Sequence, residues 1–508
     1  MKEIEKYPDR TDLLMRAKRC WDALAPFREE RARCKRFTYG DQWGDLMPTP
    51  SGMVREDVFI RSQGNLPLKN NLIRRLVRNV LGVFRNSWAM PVCRPRDAAE
   101  APQAGIMQRL LESNLETNRL EELYARTLEE FLISGMAVHR KWFGQRGGRT
   151  DCWTDFVSPE CFFTDGMSRD FRGWDQTMAG EIHDMSFDEL CAAFAGSESD
   201  RRRLRTIYAD SVDADGSMVL HSVGTTNSSN IDFLLAREPG RCRVIEVWTR
   251  EFVTVRRVTK EQWFFHFLTP TGEVLGSGKS PYRHGRHPYV IKAYPFIDGE
   301  IHSFVSDIID QQKFTNRLIS MYDWILRASA KGVLLFPEEA LPDGIDIADI
   351  AREWSRFNGV IIFSPKPGTP LPQQVSSKCS DIGITELLNI QMKMMEDISG
   401  VNGALQGKLD KASMSGTLYS QQTRNSMIAL ADLLRSYADF IIEGTRADAS
   451  NIRQFYTPRR IAAITGTTSP VSSPGSSSES SLGSSPLADT DLFFDNTLDF
   501  SFTFPTST

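Results

Sequence analysis

A chain of 508 residues, 41% hydrophobic and 25% charged, holds enough apolar material for about two to four cores and has the composition of a folded protein rather than a disordered one. Its 61 basic and 65 acidic residues leave a formal charge of -4, which argues against a static nucleic-acid binder, because such affinity grows with every phosphate neutralised. No apolar run approaches the roughly 18 residues of a membrane span, the start Met1-Lys2-Glu3-Ile4-Glu5-Lys6 lacks the apolar stretch of a signal peptide, and the cysteines at 20, 34, 93, 152, 161, 191, 242 and 379 never fall as Cys-x-x-Cys, so neither a zinc knuckle nor a redox pair is encoded locally.

Those features predict a cytoplasmic chain with reduced, mostly buried thiols. Residues 11 to 36 read as a basic-faced helical region with Leu13, Leu14, Ala17, Trp21 and Leu24 as the apolar stripe and Pro26 as a kink. A second helix is expected from Asn70 to Asn86, with Leu72, Ile73, Leu76, Val77, Val80, Leu81 and Phe84 inward and Arg74, Arg75, Arg78 and Arg85 on a solvated face. Residues 105 to 134 form two helical stretches meeting near Asn118, which stands three before Glu121 in the spacing of a helix start, and Gly135 ends the second. Beta-branched and aromatic runs then take over from Ala137 to Val157 and from Val244 to Leu268, including Val244-Ile245-Glu246-Val247-Trp248 and Trp263-Phe264-Phe265-His266-Phe267, and predict antiparallel strands. Helices and strands segregated in this way predict an α+β body.

From Ile301 to residue 330 apolar residues recur at mostly helical spacing with no proline, a helix of about 45 Å at ~1.5 Å per residue. Short beta-like runs follow at Val333-Leu334-Leu335-Phe336 and Val360-Ile361-Ile362-Phe363, separated by an amphipathic stretch around Ile350 and Trp354 and closed by prolines 365, 367, 370 and 372. Another helix is expected from Asp381 to Ile398, burying Ile384, Leu387, Leu388, Gln391, Met394, Met395 and Ile398 on one side. Residues 399 to 416 are too rich in glycine and serine for a helix and read as a loop, before a long helix over 417 to 457. Residues 467 to 486 are mostly Ser, Thr, Pro and Gly and predict a flexible linker, after which Phe493, Phe494, Phe500, Phe502 and Phe504 alternate weakly as for a terminal strand.

Three partial motifs fail on their own chemistry. Gly276-Ser277-Gly278-Lys279-Ser280 resembles the end of a phosphate loop, but Glu273 stands where its first glycine belongs. His284 and His287 have metal-ligand spacing without a local Cys or His to complete a site. Asp213-Ala214-Asp215-Gly216 resembles a calcium loop, yet its twelfth position is Ser222 rather than a bidentate Glu. No Gly-x-Ser-x-Gly elbow is present, so no catalytic, cofactor-binding or metal residue is assigned.

Tyr39-Gly40-Asp41-Gln42-Trp43, the stretch Ile73 to Asn86, Ser134-Gly135-Met136-Ala137, Val157-Ser158-Pro159-Glu160 with Asp165 and Asp170 after it, and Asp310-Gln311-Gln312 with Asn316 occur in that order. In this ordered set the chain resembles the portal proteins of tailed bacteriophages over residues 35 to about 456. The resemblance implies a ring of subunits, commonly a dodecamer, at one capsid vertex of the virion, assembled in the host cytoplasm, through which double-stranded DNA is packaged and ejected without regard to sequence. It implies no enzyme activity and no cofactor, with a separate ATPase, the terminase large subunit, driving the DNA, and with head-completion or adaptor, tail, major capsid and scaffolding proteins as further partners.

Carried over by order, residues 1–300 become a wing of helices and antiparallel strands, 301–330 and 379–398 the stem helices, and 331–378 a small α/β clip. Residues 399–416 become the tunnel loop, 417–457 a long helix and 458–508 the tail, which is shorter than the further helices of many relatives. Lys408, Lys411 and Ser413 would face DNA from the tunnel loop, where a mobile segment can follow a moving backbone without locking it. Glu338, Glu339, Asp343, Asp346 and Asp349 would form an acidic patch on the clip suited to a basic motor surface. The alternatives are a nucleic-acid-processing enzyme of the packaging motor, which the missing phosphate loop and clustered acidic metal site disfavour, and a helical scaffold unrelated to DNA.

Overall fold

The computed structural model describes residues 10–50, 52–165, 170, 172–209, 231–255, 258–297, 299–331, 333–337, 346–355, 361, 368, 371–375, 383–401, 416–466 and 500–503. They divide into two compact units, one comprising 1–39, 72–309 and 397–508 and the other 40–71 and 310–396.

The larger unit is built on two antiparallel sheets. The first has five strands in the order Val274–Lys279, Val258–Leu268, Cys242–Val255, Met178–Met185, Phe162–Thr164; the second sets Met136–Arg146 between Tyr289–Ala293 and Arg149–Phe156. The hairpin Met136–Arg146/Arg149–Phe156 turns at Gly147 and Gly148, whose φ values of +57° and +77° suit residues without a Cβ. Met136, Val138, Phe162, Ala179, Trp248, Trp263 and Tyr289 from the two sheets share one core. Helix Thr11–Ala23 lays Leu13, Leu14, Ala17 and Trp21 against Phe163, Ile182, Val247 and Leu268 of the five-stranded sheet, the stripe expected from its spacing. A third core joins Met107, Leu110 and Leu111 of helix Ala101–Asn118 to Ala449 and Ile452 of the 40-residue helix Gly416–Phe455, which would span about 60 Å, and to Tyr456 just beyond its end.

Several local expectations change in detail. Pro26 does not kink one helix but lies in the first turn of a second, Ala25–Tyr39, where a missing N–H costs nothing. Asn118 does not start the next helix: the chain breaks at Arg119 with φ 49°, and the Asn118 amide donates to Asn114 O at 3.1 Å and Cys152 O at 3.0 Å and accepts from Thr154 N at 3.0 Å, tying the helix to the hairpin. Gly135 does end helix Leu120–Ser134, with φ 79°, and a Cβ there would stand 1.8 Å from His302 O. Helix Leu72–Asn86 buries the first five residues of its predicted stripe, but its basic face is not simply solvated: Arg74 bonds Glu129 and covers the Tyr39 ring, and Arg85 bonds Glu122 at 2.7 Å. The terminal strand forms as Phe500–Thr503, paired antiparallel with Val92–Pro95 and burying Phe502. The linker 467–486 lies outside the described residues.

The smaller unit holds the hairpin Leu46–Thr49/Gly52–Arg55, helix Glu56–Ser62, and most of helices Ser306–Lys331 and Ile384–Ser399. The first long helix starts at Ser306, not 301, because Ile301 pairs with Phe296 in a short hairpin and Ser303 Oγ accepts from Ser306 N at 2.9 Å where the helix begins. Between the long helices come helix Ile347–Ser355, covering the amphipathic stretch at Ile350 and Trp354, and strand Val333–Leu335. The partner of that strand is Gln373–Val375, beyond the prolines, whereas the run 360–363 falls outside the described residues but for Ile361.

Helix Ile384–Ser399 departs most from expectation. Ile384 and Met395 are buried, but Leu387, Met394 and Ile398 are 41%, 46% and 48% exposed, together with Ile390 at 43%. These four follow an i, i+3, i+7, i+11 spacing and line one face. Among the described residues nothing covers that face, so the apolar periodicity was real while its burial against them was not.

Candidate functional site

Two of the segments that carried the family resemblance, 40–43 and 310–316, meet in the smaller unit. Asn316 Nδ2 donates to Gln42 Oε1 at 2.8 Å, and Gln312 Nε2 donates to Asn316 Oδ1 at 2.9 Å and to Asn70 O at 2.7 Å. Trp43 Nε1 donates to Leu68 O at 3.0 Å. Gln312, Thr315 and Asn316 are fully buried and Gln42 nearly so, so each amide needs its partner. Around them Lys313 pairs with Asp45 at 2.8 Å and Arg317 with Glu56 at 2.9 Å. These motif residues therefore do structural work, fixing the long helix to the segment 40–71.

Lys408, Lys411 and Ser413 lie outside the described residues, as do Glu338, Glu339 and Asp343. Asp346 and Asp349 are described at the start of helix Ile347–Ser355. Asp346 Oδ1 accepts from Ile347 N at 2.7 Å, and Asp349 pairs with Arg352 at 3.2 Å. Both carboxylates suit the positive end of a helix, so their local structural role is visible.

The rejected motifs have ordinary positions. Gly276 to Lys279 form part of a strand paired with Phe264–Phe267, the wrong backbone for wrapping a phosphate. His287 is buried edge-on against Trp263 with centroids 4.8 Å apart, while His284 stacks on Tyr282. Burial, reinforced by Arg286, holds the His284 imidazole down at about 4, so it is neutral at physiological pH. Both rings, with Arg172, Trp174, Arg286 and Glu443, line a cavity of about 300 Å³. Residues 213–216 lie outside the described residues.

A group that the linear sequence did not bring together sits where the two sheets of the larger unit face each other. Glu181 and Glu246 are register partners on adjacent strands, two like charges directly opposite. His183 Nε2 lies 2.9 Å from Glu246 Oε2 and 4.0 Å from Glu181 Oε2. Arg140 Nη1 reaches Glu246 Oε2 at 3.1 Å, and the Trp248 indole donates to Glu246 Oε1 at 2.7 Å. Burial would push the Glu246 carboxyl up, but Arg140 and the His183 hydrogen bond outweigh it and bring it to about 2. Glu181 moves the other way, raised by burial. The signal available in the sequence was Glu246 itself, a carboxylate inside the apolar run Val244–Trp248, which a strand facing a second sheet can hold only with partners.

No curated protein sequence matches this chain. The family model for Phage P22-like portal protein matches residues 14–470, from the first helix of the larger unit to beyond its last. This is a structural rather than a catalytic family. The chain therefore belongs to the P22-like portal proteins of tailed bacteriophages.

Proposed function

We propose that copies of this chain associate through their long helices into a ring at one capsid vertex, leaving a channel through which double-stranded DNA is packaged and later ejected. The observation that carries this reading is the apolar face Leu387, Ile390, Met394 and Ile398, joined by exposed Phe314, Met321, Trp324 and Leu326 on helix Ser306–Lys331. Fully burying an exposed side chain of this kind is worth roughly 1.5–3 kcal/mol, so these half-exposed ones would gain about half of that each by packing against the same helices of neighbouring copies. Membership of a portal family, which implies a ring oligomer, supports a second copy of the chain as the occupant of that face.

On this reading helices Ser306–Lys331 and Ile384–Ser399 are the stem, the residues between them the clip, and the body before residue 301 the wing. Lys408, Lys411 and Ser413 belong to a tunnel loop over 399–416 that meets DNA. The acidic side chains Glu338, Glu339, Asp343, Asp346 and Asp349 offer the clip's docking surface to the terminase large subunit, and head-completion or adaptor, tail, capsid and scaffolding proteins contact the rest. The near balance of charge supports a duplex that slides rather than one held fast.

The test is assembly. Leu387→Glu combined with Met394→Glu places two charges on the stem face while leaving the buried Ile384 and Met395 in place. Wild-type protein should give rings with a duplex-wide hole by negative-stain microscopy, and the variant should stay as folded lower-order species by light scattering. Rings that form equally well from the variant would remove the stem face from the interface.

A further inference from the structure

We propose that Glu181, His183 and Glu246 bind one divalent transition-metal ion of the zinc class, which clamps strand Met178–Met185 to strand Cys242–Val255. Each residue can present one ligand atom, and these atoms lie within 4.8 Å of one another, inside the span a single ion can bridge. Glu181 and His183 stand two apart on one strand and so point to the same side, while Glu246 faces Glu181 across the ladder.

A second observation is independent of those carboxylates. Tyr289 is 4% exposed with its hydroxyl turned to the Glu246 carboxylate but outside hydrogen-bond geometry, and Glu181 Oε2 and Arg140 Nε, buried atoms of partly exposed side chains, also make no hydrogen bond. Tyr289 is the register partner of Arg140 on the facing sheet, and both carboxylates act on its hydroxyl. Buried polar atoms left without partners in one place indicate a missing group. Arg140 and the His183 imidazole both contact Glu246, at 3.1 and 2.9 Å, while Glu181 Oε2 stands 4.0 Å from that imidazole, and a divalent ion would take the place of the proton that His183 Nε2 donates to Glu246.

The donor set selects the ion. One imidazole with two carboxylates suits zinc, cobalt or manganese better than calcium or magnesium, which take all-oxygen shells. The Trp248 indole at 2.7 Å from Glu246 Oε1 orients that carboxylate in the manner of an outer-shell partner. Glu181 and His183 side chains retain 15% and 16% exposure, which leaves the ion a path from solvent.

The experiment uses the full chain, stripped with chelator, dialysed against zinc and assayed for bound metal. About one ion per chain is expected, falling by one in Glu181→Gln and in His183→Gln, with circular dichroism confirming that each variant folds. Zinc absorption fine structure on the wild type needs no variant: it should show a nitrogen and oxygen shell at about 2.0–2.2 Å including one imidazole. A wild type that retains no zinc, meaning that only a proton or a water occupies the cluster, overturns the proposal. So does a sulfur-containing shell, or folded variants that keep their metal.

Discussion

Asp448 of helix Gly416–Phe455 and Lys141 of the three-stranded sheet stand 307 positions apart in the chain and form a buried ion pair. Lys141 Nζ lies 2.5 Å from Asp448 Oδ2, their side chains are 1% and 3% exposed, and Thr154 Oγ1 accepts from the same ammonium at 2.9 Å. At that separation and an effective dielectric of about 20 the attraction is roughly 7 kcal/mol, and desolvating the two ions, at several kcal/mol each, offsets most of it. Asp448→Asn keeps the shape of the side chain but leaves the lysine charge without its counter-ion. The expected loss is about 3 kcal/mol, the lower end for a broken buried pair because the amide oxygen still accepts. At roughly 2–4 °C per kcal/mol for a large domain, the calorimetric transition should fall by about 6–12 °C. Lys141→Met with Asp448→Leu removes both charges and should recover most of the drop. An Asp448→Asn transition within about 2 °C of wild type, or a double variant as unstable as the single, would refute this account of the pair.

Stability should also fall on mild acidification. His139 is completely buried, with Nε2 2.7 Å from Thr127 Oγ1, and burial followed by the Lys141 charge depresses its proton affinity, as burial and Arg286 do for His284. Because both folded values lie below the unfolded value of about 6.5, the unfolded chain takes up protons first, and stability present above that pH is lost at up to roughly 1.4 kcal/mol per group per unit below it. Denaturant midpoints from pH 7 to 5 should show this slope, shallower in His139→Gln, and a flat profile would contradict it. In the proposed tunnel loop, Lys408→Ala with Lys411→Ala should leave assembly intact and alter packaging or retention of DNA in particles; unchanged packaging removes their role.

Much of the local structure was legible because its causes are local. The stripe Leu72, Ile73, Leu76, Val77 and Val80 fixes a helix through contacts three and four residues away, Gly135 stops one through its own positive φ, and the beta-branched and aromatic run from Ala137 to Val157 becomes antiparallel strands. The order of motifs was enough for the family. What the sequence could not state was which distant residues meet. The partnership of Gln42 with Asn316, of Val333–Leu335 with Gln373–Val375, of Lys141 with Asp448, and of Glu181 and His183 with Glu246 depends on strand register and helix docking, which no short window contains. The stem face shows the same division at its sharpest. Periodicity determined that Leu387, Met394 and Ile398 share one side of a helix, but only the folded chain decided that this side faces outward, because burial is a property of what packs against a surface and not of the segment that bears it.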